Sequence, residues 1–308
     1  MTKRVAVPLD QDSARTALDE LFTLARKYNS SNAYLELIRF VGRFRFYSPF
    51  NAMLIHTQMP GAHFVCTALG WRRDYHREIK IGARPIVILQ PMGPILFVFD
   101  VSDTAPLPNA PPLPVRVEDP FKVRSGKIGG QLGLTIENAR RDGVRVSERA
   151  DGSQQAGSIQ WAAAGQHLEF TIANKRMPIS TQVPLWFELL LNSSLSAESR
   201  FGTLIHELAH LYCGHLGTRN GRWWPDRQNL SPVVREFEAE SVSYLVCARL
   251  GIDTASDEYL AGYVSKSPAT PAISLDRVLK SAWLLEQMGQ ARLALRKAAI
   301  SQPMSANG

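Results

Sequence analysis

The chain has 308 residues, of which 45% are hydrophobic and 20% charged. That balance excludes a disordered polypeptide and is long enough for two compact domains rather than one. The formal net charge is +7, and it is unevenly placed: 13 Lys+Arg against 9 Asp+Glu in residues 1–105, 11 against 9 in 106–200, and 11 against 10 in 201–308.

The amino terminus, MTKRVAVPLDQDSARTALDE, lacks the apolar run of a signal peptide. The longest apolar candidate, PIVILQPMGPILFVFDV, is broken by Gln90, Pro91, Gly93 and Pro94, so no transmembrane helix is expected. Three scattered cysteines (Cys66, Cys213, Cys247) are too few for a disulfide framework and suggest free thiols in a reducing cytoplasm.

Taken in chain order, DSARTALDELFTLARKY and NAYLELIRFVGRF carry apolar residues at helical spacing, with Asp12 or Ser13 and Asn32 as N-caps. SPFNAMLIHTQMP predicts a third helix, with Ser48 as cap and Pro49 in the first turn. RPIVILQP and PILFVFDV, rich in Ile, Val and Phe, predict two paired strands. APLPNAPPLP, at 105–114, holds five prolines in ten residues and reads as a stiff extended linker. Beyond it, SIQWAA and HLEFTIA suggest a hairpin, and VPLWFELLLNSS a buried strand or short helix. Three helices then follow. AESRFGTLIHELAHLY has Ser196 before it and Gly214 after it; SPVVREFEAESVSYLVCARLG has Pro232 and Gly251 at its ends; SLDRVLKSAWLLEQMG has Ser274 and Gly289. The expected fold class is α+β: a small helical and β-hairpin domain at 1–105, a proline-rich linker at 106–120, and a second domain at 121–308.

The chemistry concentrates in FGTLIHELAHLYCGH. On an α-helix, residues four apart lie about 40° apart around the axis, so His206 and His210 can aim at one ion. Glu207 stands about 100° from His206, outside the first shell but within reach of a water, which is the logic of H-E-x-x-H: two zinc ligands and a carboxylate that takes the proton of the attacking water. A catalytic site of this kind needs a third protein ligand. His215 is one candidate, although it lies about 140° from His210 unless the helix breaks at Gly214. Glu238 is the other. In a helical REFEAESVSYLV it shares a stripe with Val242 and Leu245, while Glu236 and Glu240 fall roughly 160° away. A carboxylate turned towards a core is costly unless compensated, and a cation compensates it. The expected metal ligands are therefore His206, His210 and Glu238, with one Zn2+ (or another divalent ion) per chain and Glu207 as the catalytic base.

HELAHL followed by REFEAESVSYLVCARLG resembles the ImmA/IrrE-type zincin metallopeptidases, in which a Glu on the second helix completes the site. YSPFNAMLIHTQMPGAHFVCTALGWRRDY, IKIGARPIVILQP and FVFDVSDT resemble the single-stranded-DNA-binding domain of ArdC-type antirestriction proteins, which precedes such a peptidase domain. The resemblance is carried there by Ser48, Asn51, Trp71 and Lys80. It implies a zincin-like second domain, plasmid- or phage-linked biology and evasion of restriction.

Charge agrees with a DNA-binding first domain. Residues 39–84 hold eight basic residues (Arg39, Arg43, Arg45, Arg72, Arg73, Arg77, Lys80, Arg84), opposed by Asp74 and Glu78 alone. Phe44, Phe46, Tyr47 and Trp71 interleave with Arg43, Arg45, Arg72 and Arg73, as stacking on unpaired bases beside phosphates would require. The alternative is that Phe44, Phe46 and Trp71 are core residues. The DNA-binding set is Arg43, Arg45, Tyr47, Asn51, Trp71, Arg72, Arg73 and Lys80. The function expected is a DNA-associated zinc metalloendopeptidase with single-stranded DNA and an unidentified protein substrate as partners, and no membrane. Two readings stand beside it: a non-proteolytic protector of DNA against restriction enzymes with a structural or vestigial metal site, and a peptidase that cleaves a repressor.

Overall fold

The computed structural model describes Tyr28 and residues 30–90, 93–114, 117, 126–150, 156–172 and 179–296. The helix expected over DSARTALDELFTLARKY lies outside these residues, apart from Tyr28. Two compact units are formed, one by residues 1–124 with 263–270, the other by 125–262 with 271–308. Among the described residues, no helix is long and apolar enough to cross a membrane.

In the first unit, α1 (Ser31–Arg43) is capped by Ser30, whose hydroxyl accepts from Ala33 N at 3.3 Å, and not by Asn32 as expected. α2 (Pro49–Gln58) begins as the sequence predicts, with Ser48 Oγ accepting from Asn51 N at 3.3 Å. After β1 (Val65–Cys66) comes α3 (Ala68–Tyr75), a two-turn helix too short for periodicity to reveal, capped by Thr67. β2 (Arg77–Ile79) leads to the hairpin of β3 (Ile86–Gln90) and β4 (Gly93–Asp100), antiparallel as expected, with β1 on the other edge of β4.

The proline-rich stretch is not a free linker. Its start forms β5 (Thr104–Pro106), antiparallel to β2 with Ile79 opposite Thr104. Further on, Leu113 and Val117 pack against Phe64, Trp71 and Tyr75. Proline tolerates this because an edge strand leaves its missing N–H facing solvent, and the apolar residues between the prolines are worth burying.

In the second unit, α4 (Gln131–Arg141) and β6 (Val144–Arg149) arise from a stretch that carries no clear pattern. The expected hairpin of SIQWAA with HLEFTIA does not form. β7 (Gly157–Trp161) pairs antiparallel with β10 (Phe187–Asn192), whereas β8 (His167–Ile172) pairs with β9 (Ile179–Pro184). β10, the run FELLLN, is a strand, parallel to β6 on its other side and so central in the order β6-β10-β7. A continuous apolar strand is most stable where neighbours cover both edges, which explains why β7 takes it as partner in preference to the nearer β8. Three long helices complete the unit: α5 (Ala197–Tyr212), α6 (Pro232–Leu250) and α8 (Leu275–Gln290), capped by Ser196, Ser231 and Ser274. Gly289 falls inside the last turn of α8 rather than beyond it. α7 (Ala255–Lys266) precedes α8. α5 packs along α6, with Leu204, Ile205, Leu208, Val242 and Leu245 fully buried.

Candidate metal centre

α5 presents His206 and His210 on one face, as their spacing requires. Their Nε2 atoms stand 3.2 Å apart. The third donor comes from α6, and it is Glu236: its Oε2 lies 3.6 Å from His206 Nε2 and its Oε1 3.6 Å from His210 Nε2. Four-coordinate zinc with ligand bonds of about 2.05 Å has ligand atoms about 3.4 Å apart, and the triangle of 3.2, 3.6 and 3.6 Å fits that dimension. Two histidines and one carboxylate are also the donor chemistry of a catalytic zinc site. The Glu236 side chain is 49% exposed and the two imidazoles are largely buried, so the open side of the triangle faces a recess of about 380 Å³ bordered by Gly157, Ile159, Glu207 and Arg235. A larger cavity of about 700 Å³ adjoins the same helix at Thr203, His206 and Glu207.

Glu238, the expected third ligand, is not brought to His206 and His210. Glu238 does lie on the core side of α6 with Val242 and Leu245, fully buried. Its compensation is a guanidinium: Arg227 donates Nη1 to Oε2 and Nη2 to Oε1, each at 2.7 Å. Oε1 also accepts from Ser274 N at 2.7 Å, and Oε2 lies 2.9 Å from His215 Nε2. Burial pushes the carboxyl of Glu238 up, but the bonds from His215, Arg227 and Ser274 outweigh it and hold the group below its ordinary range. Glu238 lies on the core face of α6, whereas Glu236 lies on the face beside His206 and His210. The signal that would have found Glu236 is its spacing from Glu240, four residues on, which repeats the His206–His210 spacing. Glu240 Oε1 lies 3.5 Å from His206 Nδ1.

His215 does approach His210, because the helix breaks where the sequence allows. Gly214 has φ of +86°, and a Cβ there would meet Pro225 O at 2.3 Å. The N–H of Gly214 bonds Leu211 O and that of His215 bonds His210 O, which turns the chain back beneath α5. His215 Nδ1 ends 3.0 Å from His210 Nδ1, on the other side of that ring and not among the three donors.

Glu207 is half-buried beside β7. Desolvation pushes its carboxyl up, opposed by His206 and by a hydrogen bond from the Ile159 backbone, and the net shift is upward. That direction suits a group that must hold a proton transiently. For His210, burial and the neighbouring His206 push the ring well below the usual histidine range, which keeps it neutral.

In the first unit the expected DNA-binding residues divide. Trp71 is fully buried, packed at 5.7 Å from Phe64, and its Nε1 donates to Phe99 O at 2.8 Å. It is a core residue and offers no face to a base. Asn51 binds the backbone of Leu89 in both directions, at 3.0 and 2.9 Å, and so fastens α2 to β3. Tyr47 donates to Val65 O at 3.0 Å. Phe44 is buried against Phe40, whereas Phe46 is 53% exposed. Arg43, Arg72, Arg73 and Lys80 are at the surface, and Arg45 is half-buried.

The fold and site thus define a two-unit α+β protein whose second unit brings two histidines and one carboxylate together, with the Glu207 carboxylate beside them. No known family model matches the chain. In sequence it is 21% identical over 286 residues to an uncharacterized protein of Bacillus anthracis; the match takes in 82% of this chain and 46% of that protein, so the chain spans less than half the length of this relative. In structure it is similar to the metal-free crystal structure of the antirestriction protein ArdC from plasmid R388, with a TM-score of 0.33 and 13% identity over 78% of this chain and 84% of that one.

Proposed function

We propose that the protein is a metal-dependent peptidase of antirestriction type, with His206, His210 and Glu236 holding a zinc or similar divalent ion and the basic first unit binding single-stranded DNA. The observation that carries the reading is the ion-sized triangle of three donors with Glu207 next to it in sequence and an open recess in front. The antirestriction setting rests on the sequence resemblance of the first domain.

When bound, the ion supplies Lewis acidity to a peptide carbonyl and to a water. Glu207 accepts the proton of the attacking water and returns it to the departing amine. Its raised affinity for a proton comes from burial against β7, and the bond from Ile159 fixes its orientation. Glu236 would bring one negative charge to the two imidazoles, which would leave a centre holding a divalent ion cationic enough to polarise a carbonyl.

Glu207→Gln keeps the size of the side chain and removes the base. The variant should retain zinc and DNA binding while cleavage of a peptide library, read by mass spectrometry, falls by about 10²–10⁴-fold. If cleavage persists unchanged, Glu207 is not the base. If cleavage is lost but DNA is still protected from restriction enzymes in full, proteolysis is not the role and shielding takes its place.

A further inference from the structure

The larger cavity beside the donor triangle has no part in the chemistry above. Its volume of about 700 Å³ is in the range of ligand sites. It shares Gly157, His206 and Glu207 with the recess in front of the triangle, so whatever fills it lies next to those groups. Its walls come from α5, α6, β7 and the first turn of α7. Several are small, Gly202, Ser243 and Ala255 among them, which leaves the space open to a long side chain.

The charge of this cavity is one-sided. Glu198, Glu240, Asp253 and Glu258 border it in addition to Glu207, and among the described residues that line it there is no lysine or arginine. The smaller recess differs, because it carries Arg235 beside Glu236. A phosphate or an acidic peptide would meet like charge in the larger cavity, which is strongly disfavoured. An apolar side chain would strip water from the carboxylates and return nothing. A cation answers them.

Ser256 adds an independent sign. It is 5% exposed and borders the cavity, and its hydroxyl has no hydrogen-bond partner among the described residues. Ser243, buried on the same wall, instead donates to Gly202 O at 3.4 Å. A hidden hydroxyl without a partner is uncommon, and this one is free to accept. Ammonium and guanidinium groups carry donors and no acceptor, which matches a wall of carboxylates and an accepting hydroxyl.

We propose that this cavity receives a lysine or arginine side chain of the peptide next to the bond that is cut, making the protein selective for basic segments. The inference rests on the peptidase reading of the same site. Asp253 and Glu258, both exposed, draw the cation in, while the more enclosed Glu240 and Ser256 receive its end. Arg235 repels the same cation from the smaller recess, so charge alone sorts the two.

The test separates this inference from the reading beneath it. Full-length protein is kept in a chelator, and calorimetry follows its titration with short alanine peptide amides carrying one central Arg, Lys, Leu or Glu. The Arg and Lys peptides should bind about tenfold more tightly than the Leu peptide, as several partly exposed ion pairs together provide. The margin should shrink as salt rises. Asp253→Lys combined with Glu258→Lys should abolish the preference for Arg over Glu. Asp253→Asn combined with Glu258→Gln, a milder change should the first variant fail to fold, should reduce it. Equal affinity for the Arg and Leu peptides, no binding of the Arg peptide, or a preference that these variants leave intact overturns the proposal. In parallel, zinc-loaded protein digests a peptide library and mass spectrometry reads the cut sites. Lys or Arg should flank the bonds cut by wild type and lose that place with the lysine variant. Cleavage without this bias overturns the proposal and leaves the peptidase standing. Selective binding of the Arg and Lys peptides without any cleavage supports the cationic site and overturns the peptidase instead.

Discussion

A carboxylate stripped of water must find donors elsewhere, and two glutamates of α6 solve that differently. Glu238 has Arg227, His215 and a backbone N–H around it and needs no ion. Glu236, half in solvent, keeps its oxygens beside His206 and His210. Their alanine variants should therefore fail in different ways. Glu236→Ala removes the proposed third ligand from a partly exposed position, so the metal-free protein should unfold at the wild-type urea concentration while zinc affinity falls beyond the 10–100-fold of an outer partner. Glu238→Ala takes the acceptor from the enclosed His215 ring, from Ser274 N and from a partly exposed guanidinium, and should cost about 1–3 kcal/mol of stability in the metal-free protein. Urea titrations in the presence of a chelator, alongside zinc competition, distinguish them. If Glu238→Ala is as stable as wild type and Glu236→Ala keeps its zinc, the two roles are exchanged.

At the scale of elements, a strand and a helix approach each other closely in the site. β7 passes α5 at Gly157, where an added Cβ would lie 2.6 Å from Thr203 Cγ2, 3.0 Å from Leu190 O and 3.5 Å from Glu207 Cγ. Glycine is required there by proximity, since the atoms it would meet belong to a β-branched side chain and a strand carbonyl. Gly157→Ala should cost about 1–3 kcal/mol through overpacking and, by pushing β7 from α5, should loosen the bond between Ile159 and Glu207. Unfolding of the chelated protein measures the first effect. An unchanged midpoint would mean that β7 adapts without strain. This contact was invisible in the sequence, because β7 meets α5 only after pairing with β10, some thirty residues on. What was legible was local: the serine caps of α2, α5 and α8, the β3–β4 hairpin, and the His206–His210 face all follow from spacing along one element. What was misread depended on partners distant in the chain. Trp71 is core because β4 supplies Phe99 O, and Glu238 is held away from His206 and His210 because the loop before α6 supplies Arg227.

For the whole molecule, the division of charge remains the strongest guide to a partner. The surplus of the first third is concentrated between Arg39 and Arg84, and most of those cations are at the surface. Several hold acidic or carbonyl neighbours: Arg73 binds Asp74 through two bonds of 2.6 and 2.8 Å, Arg72 lies 3.7 Å from Glu78, and Lys80 donates to Ser102 O at 2.7 Å. Exposed pairs of this type contribute about 0–1 kcal/mol, so exchanging them for phosphates costs little. With Trp71 in the core, Phe46 becomes the exposed aromatic nearest the Arg43–Arg45 cluster in sequence and the one suited to stack on a base. The full-length protein should therefore bind single-stranded DNA with an affinity that falls steeply as salt rises, and each phosphate contact removed should reduce the logarithmic salt slope by about 0.7. Arg72→Ala combined with Arg73→Ala should lower both affinity and slope. Phe46→Ala should leave the slope alone while costing about 1–3 kcal/mol of binding, the range of one base stacked on an aromatic ring. Trp71→Ala should instead destabilise the first unit as a cavity mutation, by about 3–5 kcal/mol. Fluorescence anisotropy over a salt series, with melting curves for each variant, reads all three. Binding that ignores salt would remove the electrostatic argument. A Phe46→Ala variant that binds like wild type would leave the phosphate contacts without a stacking partner and would count against single strands as the ligand.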